Sequence, residues 1–120
     1  MNYEAMSRVF EDLQRIELKL REAGQAEYAH SEDTLSNFKR AARAVGVSPE
    51  EVLLIFLLKH IDGITSFIGG HKSQRESVIG RILDARVYLA LLAGMVCEDN
   101  PTLYLDYIVE LEDKMRNEDA

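Results

Sequence analysis

The chain has a single cysteine, two prolines and seven glycines in 120 residues. One cysteine excludes an intramolecular disulfide and a multi-cysteine zinc site. Cys97 also agrees with a reducing compartment, and it follows Met95 and Val96 at what reads as a helix end. So few helix breakers argue against a strand-and-turn architecture and for long helices. Uninterrupted apolar runs are missing too. Lys59 and His60 close one stretch, and Asp84 and Arg86 break another, so no segment reaches the roughly 18 residues of a membrane span. The N-terminus carries Glu4 and Glu11 and no apolar leader core, which makes the cytoplasm the expected location and a membrane partner unexpected. His30, His60 and His71 are too scattered for a zinc site, and no glycine-rich phosphate loop precedes a helix. Neither a metal nor another cofactor is expected.

The residues that are present, 47% hydrophobic and 29% charged, suit one all-α domain over residues 1–120 with a modest core. The net charge of -7 is unevenly spread: residues 1–36 hold four basic and eight acidic side chains, residues 37–89 eight and five, and residues 90–120 two and eight. An acidic chain repels nucleic-acid backbones at long range, so duplex nucleic acid is not an expected partner, whereas a small anion held by the basic middle is permitted.

Periodicity is helical almost throughout. Met6, Val9, Leu13, Ile16 and Leu20 form a narrow apolar seam on a first helix. Ala23 to His30 reads as a connection, and Ser31, Glu32 and Asp33 as the cap and acidic first turn of a second helix ending near Gly46. Ser48, Pro49 and Glu51 spell a capping box for a third, and Ser73 with Glu76 repeats it for a fourth after the flexible Gly69-Gly70-His71-Lys72 junction. Asn100 and Pro101 separate a fifth, with Tyr104, Tyr107, Ile108, Leu111 and Met115 on one face. The predicted fold is a compact bundle of about five helices with the two apolar ones, around Val52 to Phe67 and Val78 to Val96, at its centre. The seam of the first helix and the aromatic face of the fifth find cover in each other or in a second copy, and a homo-oligomer is expected.

Those two central segments carry polar groups where a plain core has none: Lys59, His60 and Asp62 on one, Arg81, Asp84, Arg86 and Tyr88 on the other. Unpaired polar groups in packed apolar surroundings cost about 1 to 3 kcal/mol each, so they are kept with partners or for a purpose. Arg81, Asp84 and Tyr88 are three and four residues apart, which stacks them on one helix face with the carboxylate set to pair with the guanidinium and accept from the phenol. Lys59 and His60 point about 100° apart, so one of them packs or caps. Gly63, one turn beyond Lys59, admits a close approach by another backbone or a flat ligand. This constellation serves either to fix the packing of the two helices or to bind a ligand. Lys72, Ser73 and Arg75 before the fourth helix offer a second anion position through its N-terminal amides.

The order Tyr28, Asp33 with Asn37-Phe38, Lys59-His60, Glu76-Ser77 and Asp84 with Tyr88 resembles small helical proteins common in bacteriophage genomes, including those termed nucleotide modification associated domain 1. The resemblance spans about residues 28–96. It implies that the Lys-His pair and the Asp-x-x-x-Tyr pattern line a nucleotide-related site, and that the chain is of viral or prophage origin, where small proteins counter bacterial immunity. A more distant resemblance is to the all-α nucleoside triphosphate pyrophosphohydrolases, whose helices hold magnesium with paired carboxylates. Glu50 and Glu51 lack a second glutamate one turn on, and Glu76 is eight residues from Asp84, so the four-carboxylate set is missing.

Three functions are therefore expected in order. The first is capture of a small phosphorylated nucleotide, such as an immune signal, with Lys59, His60, Arg81 or Lys72 on phosphate, Tyr88 or Phe38 on a base, and Asn37 and Asp84 completing the site. The second is magnesium-dependent hydrolysis built on Glu50, Glu51, Glu76 and Asp84. The third is inhibition of a defence nuclease by the acidic first and fifth helices.

Overall fold

The computed structural model describes residues 1–28 and 33–119, and within them the chain is five α-helices: α1 (Tyr3–Tyr28), α2 (Ser36–Val45), α3 (Pro49–Ile68), α4 (Val78–Asp99) and α5 (Pro101–Asp119). The expected all-α bundle of about five helices is the observed architecture, with the two apolar helices packed on each other and one side of α3 left uncovered. α3 packs along α4, α2 lies on α3, and α1 and α5 lie on α4. Among the described residues no helix is long and apolar enough to cross a membrane.

The core forms where α2, α3 and α4 meet. Leu35, Phe38 and Ala42 close on Val52, Leu53 and Met95, with Ala41, Tyr88, Leu91 and Leu92 packed around them. Leu53 is completely enclosed. α1 adds Val9, Leu13 and Ile16 of its seam as half-buried contacts, and a bridge from the Arg86 Nη2 to the Glu17 Oε2 at 3.2 Å ties it to α4. α5 contributes least, with Ile108 and Leu111 half-buried and the rest of its apolar face exposed. The bundle is open: its radius of gyration is 17.1 Å, against about 14 Å for a compact domain of this length.

Three helix boundaries differ from the sequence expectation, each for a local reason. α1 runs through Ala23 to Tyr28, a stretch whose Ala, Gln and Glu residues favour helix even without an apolar period; His30 lies outside the described residues. α2 begins at Ser36, later than expected. Ser31 and Glu32 lie outside the described residues, and the Asp33 carboxylate accepts from the Leu35 N–H at 3.0 Å and from the Lys39 Nζ at 2.6 Å, forming a turn ahead of the helix. Lys39 also reaches the Glu98 Oε1 at 2.7 Å, so it fastens this turn to the end of α4. The Lys39 hydrogen bond holds the Asp33 carboxyl below the usual carboxylate range, and Asp33 in turn raises the Lys39 ammonium. α4 begins at Val78 with Ser77 as its cap, the hydroxyl accepting from the Ile79 N–H at 3.2 Å, rather than at Ser73. Residues 71–77 are held out of helix by Gln74, whose amide donates to the Gly63 and His71 carbonyls.

The other boundaries are as expected. α2 stops at Gly46, whose φ of 74° is the left-handed conformation that ends helices. Asn100 caps α5 by accepting from the Leu103 N–H. At α3 the capping box is complete: the Ser48 hydroxyl accepts from the Glu51 N–H at 3.1 Å, and the Glu51 carboxylate accepts from the Ser48 N–H at 3.4 Å. Replacing Ser48 by alanine removes the first of these and frees the second. The expected outcome is a loss of about 1 kcal/mol in chemical denaturation, with unchanged helix content in the folded state.

Candidate functional site

Five of the sequence-selected residues, Asn37, Phe38, Lys59, Asp84 and Tyr88, come together on one cleft of about 550 Å³. α2 supplies Asn37 and Phe38, α3 supplies Phe56 and Lys59, and α4 supplies Asp84, Val87, Tyr88 and Leu91. The last turns of α1 close the far side with Leu20, Arg21, Gly24, Gln25 and Glu27. That volume lies in the range of pockets for small organic ligands.

One wall of the cleft is aromatic. Phe56 and Tyr88 are stacked, with ring centroids 6.3 Å apart and planes 12° from parallel, and Phe38 meets both edge-on at 6.4 Å. This arrangement follows from spacing, because Phe56 sits three residues before Lys59 on the same side of α3, and Tyr88 follows Asp84 by four on α4. The charged groups around the cleft are mixed: Arg21 and Lys59 are basic, Glu27 and Asp84 acidic.

Behind this wall lies the member of the Lys-His pair that packs. His60 is 7% exposed; its Nε2 is 3.7 Å from the Asp84 Oδ2, and its ring is tilted against Tyr88 at 5.7 Å. Its Nδ1 is buried without a hydrogen-bond partner. Asp84 thus faces both the cleft and the buried imidazole.

Arg81 does not take Asp84 as its partner. Its Nε donates to the Gln74 Oε1 at 3.1 Å, and its Nη1 lies 3.9 Å from the Glu76 Oε2. The space at Gly63 is taken neither by a backbone nor by a ligand but by this guanidinium: a Cβ on Gly63 would collide with the Arg81 Nε. Gln74, which also donates to the Gly63 carbonyl at 2.9 Å, completes a clip between α3, the 71–77 segment and α4.

Lys72 stands apart from the cleft. Its Nζ donates to the Phe67 carbonyl at 2.7 Å and lies 4.0 Å over the Phe67 ring, where it neutralises the C-terminal end of α3. Of the carboxylates considered for magnesium, Glu50 and Glu51 occupy the first turn of α3, with Glu50 on a second cleft beside Lys39 and Arg43. Glu76 and Asp84 instead meet His60, and the three offer donor atoms all within 4.8 Å of one another.

Sequence reasoning missed Phe56, Arg21 and Gln74. The i, i+3 relation to Lys59 carried the signal for Phe56; nothing in the local pattern marks Arg21 or Gln74, whose places depend on how α1 and the 71–77 segment fold back. Comparison with protein-family models, with curated proteins and with solved structures finds no match.

The Gly63 contact makes a prediction of sign. Alanine ordinarily stabilises a helix interior relative to glycine by about 1 kcal/mol, and Gly94→Ala, with open space around it, should do so. Gly63→Ala should instead lower stability by about 1 to 3 kcal/mol, because it forces the mostly buried Arg81 off Gln74. Urea denaturation of the two variants side by side measures the difference.

Proposed function

We propose that the cleft between α1, α2, α3 and α4 captures a small phosphorylated nucleotide and holds it intact, in a homo-oligomeric binding protein of phage or prophage type that withholds an immune signalling nucleotide from its host. The observation that supports this reading most is the three-ring wall of Phe38, Phe56 and Tyr88 beside the Lys59 ammonium. A base stacks on the half-exposed Phe56, and such stacking contributes about 1 to 3 kcal/mol. Lys59 and Arg21 meet phosphate oxygens, Asn37 offers a donor and an acceptor to a base edge, and Asp84 or Glu27 accepts from ribose hydroxyls. The phage family resemblance of residues 28–96 points the same way.

The test is incubation with a pool of cyclic and linear nucleotides, followed by mass spectrometry of the retained and released fractions. Retention of an unaltered nucleotide is the expected result. Calorimetry with the retained species should then show Lys59→Ala binding about tenfold to a hundredfold more weakly, the loss of one charge-assisted hydrogen bond, and Lys72→Ala binding like the parent. Equal effects of the two lysines would place the ligand elsewhere.

The convergence of His60, Glu76 and Asp84 favours a second reading, a divalent-metal-dependent nucleotide hydrolase. One imidazole with two carboxylates suits manganese or zinc better than magnesium, which prefers oxygen ligands alone. These three residues would hold the ion next to the cleft, where it would polarise a phosphoryl group. Under this reading Mn²⁺ raises the melting temperature of the parent protein and not of a Glu76→Ala variant, and added nucleotide is converted over time. Unchanged nucleotide after long incubation with metal and excess protein removes it.

A further inference from the structure

The chain exposes 8974 Å² of surface, whereas a folded monomer of 13.6 kDa is expected to expose about 6,600 Å². The excess of about 2,400 Å² is roughly three times the ~800 Å² that each partner loses in an ordinary protein interface. Among the exposed apolar side chains is a row on α3. Leu54, Leu58, Ile61, Thr65 and Ile68 recur at spacings of four and three along one side of this helix and face away from the core. The first three hydrophobic members are nearly half exposed and Ile68 about three-quarters, and no charged residue interrupts the row.

We infer that this row is the seam of a two-fold dimer, covered by α3 of a second copy of the chain running antiparallel, with the axis passing near Ile61. A repeat averaging 3.5 residues is the pattern that lets two helices interlock side chains along their length. Every copy carries the same uncovered row, so an isologous contact covers both at once. The rival surface is α5, which also exposes apolar side chains including Leu103, Tyr107 and Val109. That helix holds six acidic and two basic residues, and pairing it with itself sets like charges together. Between Leu54 and Ile68 the charged residues of α3 are Lys59 and Asp62, one of each sign, so the penalty on this row is smaller. Ile61 lies about 160° around α3 from Lys59, so the dimer leaves the cleft open, and the inference stands whatever the cleft binds.

Light scattering coupled to size exclusion is the test. The parent chain should elute with about twice its 13.6 kDa mass. Leu58→Asp and Ile61→Asp should each weaken the dimer at least tenfold, while Tyr107→Asp leaves it intact. A second arm does not depend on tolerance of a buried charge: in a Cys97→Ser background, mild oxidation should link Ile61→Cys chains into disulfide dimers and leave Leu105→Cys chains unlinked. A monomeric parent at the highest soluble concentration overturns the inference. So does an assembly that survives Ile61→Asp, one lost in Tyr107→Asp, or a failure of Ile61→Cys to cross-link.

Discussion

Helix α3 is apolar around most of its circumference, and the other four helices cannot cover it all. Its inner side, with Val52, Leu53 and Leu57, is enclosed by α2 and α4, and that contact is the most completely buried part of the protein. Burying a leucine side chain fully contributes about 2 kcal/mol or more, so this seam decides how α2 and α4 must lie. α1 and α5 then attach to α4 and leave α3 bare on one side. The shape of the molecule, open and over-exposed, follows from an apolar helix with too few neighbours.

The same seam sets the terms for the polar groups within it. His60 is drawn into the α3–α4 contact because it shares its side of the helix with Leu53 and Leu57, and once there it needs a partner; Asp84 on the facing helix supplies one. Arg81 is accommodated only because residue 63 has no side chain, and Gln74 holds the guanidinium in the space so created. The network therefore does structural work whether or not a ligand is present. Its link to the cleft is Asp84, which belongs to both. A ligand group or ion that draws on this carboxylate changes the surroundings of a buried imidazole whose Nδ1 has no hydrogen bond. Under the proposed reading, occupancy of the cleft would be coupled to the packing of α3 on α4 through this one side chain.

Much of this was legible from local pattern, and the limits of that legibility are physical. The number of helices and the capping box at Ser48 depend on residues within a few positions of one another, and these are as read. The start of α4 is not, because Ser73, with Glu76 three residues on, is the better cap in isolation; the choice of Ser77 is made by Gln74, which bonds to Gly63 across the loop. The late start of α2 likewise reflects Lys39 bridging Asp33 to Glu98 on a distant helix. Asn37, Phe38, Lys59, Asp84 and Tyr88 do line one cleft, because α2 packs on α3 and α3 on α4. Lys72 was selected for its nearness to a helix start that proved to be four residues further on, and it caps the preceding helix instead.

The charge pattern constrains how any anion is held. A chain of net charge -7 repels an anion at distance, and the cleft itself balances Arg21 and Lys59 against Glu27 and Asp84. Long-range attraction therefore contributes little, and association runs no faster than ordinary diffusional docking. Tight capture under these conditions has to come from slow release, which depends on contacts made after arrival. Under the proposed reading the cleft would supply those contacts in short-range form: stacking on rings already packed against one another, so that little freedom is lost on binding, and one ammonium on the same cleft. A ligand with both an aromatic face and a negative charge uses both, whereas inorganic phosphate uses only the second and an uncharged aromatic only the first. Under the proposed nucleotide reading, the ligand that fits best would carry the two features on one molecule at the separation of Phe56 from Lys59, one turn of α3.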